Sequence, residues 1–164
     1  MYRLEGVVLG DNKPGNIMVG RRGGVLIDPG ANVSVRDIQS GRVQTREYAP
    51  GKYAAHYVSR DHQTGMEYIS MVGQDNRFHK PNLMAQAAMG RMSLENVIRY
   101  STGKSIEWFL QQKGLVGPNL AVQAKAPPQA MALRDLALRL STGTEPGSLE
   151  QVYAEYNRLV SQMQ

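Results

Sequence analysis

The chain has 164 residues, 41% of them hydrophobic, with no cysteine and a formal charge of +5. That is the length of one ordinary domain with a modest core, and the missing cysteines exclude disulfides, thiolate nucleophiles and cysteine-ligated zinc, in keeping with a reducing compartment. Arg3, Glu5, Asp11 and Lys13 interrupt the first residues, which form neither a signal-peptide core nor a membrane span, so a soluble, cytoplasmic protein is expected.

The charge is uneven. Residues 1–60 hold nine Lys and Arg against five Asp and Glu, so +4 of the +5 lies in this first part of the chain. A basic surface of that kind attracts phosphate, whether on a nucleotide or on nucleic acid. Within it, YRLEGVVL ends in a short apolar run read as a strand that delivers Asp11 to a loop, and Pro14 and Gly15 keep that loop irregular. Asn16–Val19 reads as a second strand, Gly20–Gly24 as a turn carrying Arg21 and Arg22, and Val25–Ile27 as a third strand ending at Asp28.

Two strands joined by a short turn pair antiparallel, which would bring Asn16 and Asp28 to one end of the ribbon. Asp11 would reach that end through its loop, and Lys13 would place a cation beside it. Amide and carboxylate oxygens together suit magnesium, which takes a few protein oxygens along with phosphate and water.

Residues 31–52 lack periodicity and carry Gly41, Pro50 and Gly51, which predicts a long loop. Residues 53–80 mix Tyr53, Tyr57, Val58, Tyr68 and Ile69 with His56, His62 and His79, whose spacing matches no common metal-ligand pattern. EYISMV suits a strand or a helix equally.

From residue 81 the character is helical. Pro81 opens a first helix, Ser93 caps LENVIRYS, and Ser105 caps IEWFLQQK, which Gly114 ends. A Pro- and Gly-rich loop over 114–128 marks a break, Pro127-Pro128 leads into QAMALRDLALRLS, and Gly143 stops it. Ser148 and Gln151 form a capping box, followed by the stripe Leu149, Val152, Tyr153, Tyr156, Leu159, Val160 and Met163, expected to complete the core. The class is therefore α+β: a β-hairpin and loop region over 1–80, then a helical region over 81–164, together one compact domain.

D-x-K-P-x-N at Asp11, Lys13 and Asn16, an apolar run ending in Asp28-Pro29-Gly30, and Ala49-Pro50 beyond follow the order and spacing of a known set of loops. Residues 6–51 resemble the catalytic loop, magnesium loop and activation segment of the protein-kinase-like phosphotransferase superfamily. Gly10 before the aspartate is similar to the aminoglycoside-phosphotransferase branch, and Pro29 to small kinase-like proteins of bacterial effectors and bacteriophages. Three positions depart from the pattern: Leu9 replaces the supporting histidine, Pro29 the phenylalanine, and Gly51 the glutamate that anchors the activation segment.

The resemblance implies a kinase C-lobe with Asp11 and Lys13 as catalytic residues, Asp11 accepting the proton of the attacking hydroxyl. It implies that Lys13, Asn16 and Asp28 bind the cofactor, ATP, with Asn16 and Asp28 holding Mg2+. Only nine residues precede Gly10, so the nucleotide-covering N-lobe is expected to come from a protein partner or a second copy of the chain. The leading expectation is magnesium-dependent phosphoryl transfer from a nucleotide to a hydroxyl once that lobe is supplied. A second is a non-catalytic, virion- or secretion-associated assembly protein that keeps a kinase-like remnant. A third is a basic nucleic-acid-binding module, for which no interleaved aromatic and basic platform is visible.

Overall fold

The computed structural model describes residues 7–8, 13–20, 23–26, 33–71, 89 and 93–163. The chain forms two compact units, residues 2–98 and residues 99–164. Apart from one short helix among the strands, the strands come before the long helices, consistent with the α+β class. The loop over 114–128 lies inside the second unit.

In the first unit, β1 (Val7–Val8) pairs antiparallel with β4 (Val33–Ser34). Between them in sequence, β2 (Ile17–Gly20) and β3 (Gly23–Leu26) form an antiparallel hairpin, with Ile17 opposite Leu26 and Gly20 opposite Gly23. This is the expected hairpin, with a tighter connection than Gly20–Gly24 suggested.

Residues 33–52 are not the loop that their glycines and proline predict. A short helix, α1 (Val35–Gln39), follows β4 directly, and β5 (Val43–Ala49) and β6 (Lys52–Arg60) then form a second hairpin. Pro50 and Gly51 are its two-residue turn, and Gly51 takes φ of +71°, the conformation a type II turn asks of its third residue. The Gly51 amide donates to Glu47 Oε1 at 2.7 Å across a bulge in β5. The strand escapes a periodicity reading because Val43 is its only buried residue, so no apolar alternation marks a face.

β7 (Glu67–Met71) completes a three-stranded meander with β6 at its centre. EYISMV is thus a strand over its described part. The β6–β7 turn is fixed by Asp61, whose Oδ1 accepts the amides of Gln63 and Thr64, both at 2.8 Å. Those bonds hold its carboxyl below the usual range. The expected helix after Pro81 lies outside the described residues.

The second unit is organised around α3 (Pro128–Thr142), whose Ala130, Leu133, Leu136, Ala137 and Leu140 are all buried. Pro128 opens it at the position where a missing amide costs nothing, and Gly143 closes it, donating its amide to the Arg139 carbonyl. Ile106 and Leu110 of α2 (Leu94–Gln112) and Val152 and Leu159 of α4 (Leu149–Ser161) pack into the same core. The capping box is present in full: the Ser148 amide donates to Gln151 Oε1 at 2.7 Å, and the Gln151 amide to Ser148 Oγ at 3.3 Å. The α4 stripe is only partly internal, with Val152 and Leu159 buried and Tyr153 about half exposed.

One helix runs where two were expected. Ser93 does cap it, accepting the Asn96 amide at 3.3 Å, but α2 then continues unbroken through Gly103. Ser105 caps nothing and donates to the Ser101 carbonyl one turn back. Gly103 is a contact residue instead of a stop: a Cβ there would stand 2.6 Å from the Ala137 carbonyl oxygen and 2.9 Å from the Ser141 nitrogen. The α3 backbone can approach only because that atom is missing.

Polar side chains lock the α3–α4 connection. Arg99 on α2 is nearly buried and donates to the Glu145 carbonyl at 3.1 Å and the Gly147 carbonyl at 2.5 Å. The Glu145 side chain, 7% exposed, accepts from Arg139 Nε at 2.7 Å and from the Gly147 amide at 2.9 Å. Arg139 also reaches Glu155 of α4 at 3.3 Å. Burial pushes the Glu145 carboxyl up, but the bonds from Arg139 and Gly147 and the charges of Arg139 and Arg99 outweigh it, leaving it below its ordinary value.

Two tests follow from this packing. Gly103→Ala should lose stability, because overpacking against backbone costs about 1–3 kcal/mol and the helix-propensity gain of alanine is about 1 kcal/mol; a raised melting temperature by circular dichroism would contradict the contact. Because Glu145 ionises more readily folded than unfolded, its contribution is full at neutral pH and is lost as pH falls through its folded pKa. Urea unfolding of Glu145→Gln should therefore show a deficit at neutral pH that shrinks on acidification.

Candidate functional site

Lys13, Pro14, Gly15 and Asn16 begin the part of the expected site that is described. Pro14–Asn16 makes a single 3-10 turn, in which the Asn16 amide donates to the Lys13 carbonyl at 2.9 Å. Proline suits the opening of such a turn, where its fixed φ is already correct and no amide is needed. Lys13 is half-buried, and Asn16 is 7% exposed.

Asn16 leads without a break into β2. Since Ile17 pairs with Leu26, the last residue of β3, Asn16 and the chain running on toward Asp28 leave the ribbon at the same end. Asp11 and Asp28 themselves lie outside the described residues, as do Leu9, Gly10 and Pro29. Lys13 and Asn16, a cation and a buried amide, stand at the two ends of one turn closed by their backbone bond. Among the described residues no cluster of three His, Cys, Asp or Glu could hold a metal. The donors expected here are of another kind, one amide oxygen and one carboxylate, and both are hard ligands that fit magnesium.

Beyond this turn, the stretch leading to Ala49 is ordered as β4, α1 and β5, and Ala49-Pro50-Gly51 sits in the β5–β6 turn. A polar contact not foreseen from the sequence ties α1 to the sheet: the Tyr57 hydroxyl of β6 donates to Asp37 Oδ2, and Arg42 lies 3.6 Å from Asp37 Oδ1. Burial pushes the Tyr57 hydroxyl pKa up, the hydrogen bond and charge of Asp37 add to this, and Arg42 opposes it. Asp37 and Tyr57 stand on different elements, so no local spacing could have paired them.

Two of the three histidines are described. His56 Nδ1 lies 3.1 Å from the Ala54 carbonyl, to which it donates, and His62 is exposed in the β6–β7 turn. No helix among the described residues is long and apolar enough to cross a membrane. No protein-family model, curated protein or solved structure matches the chain.

The Tyr57–Asp37 contact gives a direct test of how α1 is held. Tyr57→Phe should cost about 1 kcal/mol and speed amide hydrogen exchange across residues 36–40, while exchange in α3 stays unchanged.

Proposed function

We propose that residues 10–30 carry a protein-kinase-like site for a magnesium–nucleotide complex, and that the protein is a phosphotransferase half-domain whose nucleotide is covered by a partner surface. The observation that carries this reading is the β2–β3 register, whose last pair, Ile17 with Leu26, directly follows Asn16 and the turn that begins after the half-buried Lys13. The residues required by phosphoryl transfer are of the types present. That reaction asks mainly for positioning and charge neutralisation: a carboxylate to take the proton of the hydroxyl, a cation for the transferred group, and hard oxygens for the metal.

In these terms Asp11 is the base, Lys13 lies against the phosphoryl group, and Asn16 and Asp28 hold Mg2+. When bound, the ion neutralises charge on the phosphates. The residues of the chain do the rest: Lys13 orients the transferred group, and Asp11 holds the hydroxyl proton. Such a site works in a cytoplasmic setting, where ATP and Mg2+ are both at hand.

A second reading, a non-catalytic assembly component that keeps a kinase-like remnant, draws support from the helical unit, which closes a core of its own from α2, α3 and α4. Calorimetry separates the two. The phosphotransferase reading expects Mg2+-dependent ATP binding that Asp28→Ala abolishes and that Asn16→Ala and Lys13→Ala each weaken about tenfold or more. Absence of binding at millimolar nucleotide, in the presence of partner as well as without it, would leave the assembly reading.

A further inference from the structure

The α3–α4 connection, residues 143–147, is held more firmly than the helix it leads to. We propose that Arg99 and Glu145 form a hinge lock that folds α4 back onto its own chain, and that without this lock α4 is exchanged between two copies of the protein.

Of the three helices, α4 is the most lightly held. It buries only Val152 and Leu159, against five residues of α3, and the Arg139–Glu155 ion pair ties it to α3. A helix with so little burial stands at the low-stability end of a fold and opens before the rest. Its contacts are not specific to its own chain. A second copy presents the same α3 leucines and the same Arg139, so an exchanged α4 would regain all of them.

The connection is what exchange alters. The chain turns at Gly143, whose φ of +76° glycine adopts without strain, and the Thr144 and Glu145 amides both donate to the Arg139 carbonyl, at 2.9 and 3.2 Å. Arg99, nearly buried on α2, donates to the carbonyls of Glu145 and Gly147. The buried Glu145 carboxylate accepts from the Gly147 amide and from Arg139 Nε. Bonds that bridge residues 139, 145 and 147 exist only while the connection is bent. Straightening it toward a second copy would leave a buried guanidinium and a buried carboxylate short of partners, which is costly. The preference for the closed chain therefore rests on Arg99 and Glu145, and not on the face that α4 packs.

The test uses the full chain. In the wild type, amide hydrogen exchange should run about tenfold faster in α4 than in α3; equal protection in the two helices would overturn the proposal. Arg99→Met and Glu145→Gln, checked for helix content by circular dichroism, should each favour exchange, and Glu145→Gln keeps the side-chain shape should Arg99→Met lose its fold. Isotope-labelled and unlabelled chains of each variant are unfolded in urea and refolded together at high concentration. Isotope-filtered NOEs should then link the Val152 and Leu159 methyls of one copy to the methyls of Leu133, Leu136 and Leu140 of the other, and the wild type treated alike should show none. Intermolecular NOEs of equal strength in the wild type would overturn the proposal. So would variants whose α4 contacts stay within one chain, whether they are monomers or associate through another surface.

Discussion

Antiparallel backbone pairing is the constraint on which the first unit rests. Asn16, Val43 and Ala54 are buried in it, and antiparallel pairing joins each of its strands to a neighbour. Turns and point contacts fix the register of the meander: Pro50-Gly51 between β5 and β6, the Asp61 turn between β6 and β7, and the Tyr57–Asp37 bond that holds α1. The proposed site depends most on the β2–β3 hairpin. A slip of one residue reverses every side chain on a strand, and here it would also separate Asn16 from the chain leading to Asp28.

The helical unit is held in the opposite way. Its α3 is buried along one whole face, and the close passage of α2 at Gly103 is backbone against backbone. Arg99, Arg139, Glu145 and Glu155 then join all three helices and the α3–α4 connection through bonds to carbonyls, an amide and carboxylates. A buried carboxylate with that many donors is costly to disturb, since removing any one partner strands the others. The contrast is physical: one unit is held by a packed helical core, and the other carries its strands in antiparallel pairs.

Features encoded within a few residues could be read from the sequence. Ser148 with Gln151, Pro128, Gly143 and the β2–β3 hairpin each carry their cause locally, in a cap, a fixed φ or a pair of apolar runs around glycine. Features that depend on a distant partner could not. Gly103 has the same composition signal as a helix stop, and only the proximity of Ala137 and Ser141 makes it a contact. β5 hides because most of its residues are exposed, and Asp37 meets Tyr57 across two elements. The same holds at the candidate site: the hairpin was legible, but Pro14–Asn16 is a 3-10 turn where an irregular loop and the start of a strand were expected, and the convergence with Asp11 and Asp28 depends on positions outside the described residues.

The central claim is that Asn16 and its hairpin present a divalent metal and nucleotide site. Paramagnetic relaxation tests this most directly, with Mn2+ in place of Mg2+ and ATP present. The account predicts nucleotide-dependent broadening centred on the Asn16 side-chain amide and on the backbone of Ile17 and Leu26, with α3 unaffected. Broadening that ignores ATP, or that centres on the surface carboxylates of α4 and leaves Asn16 sharp, would contradict it.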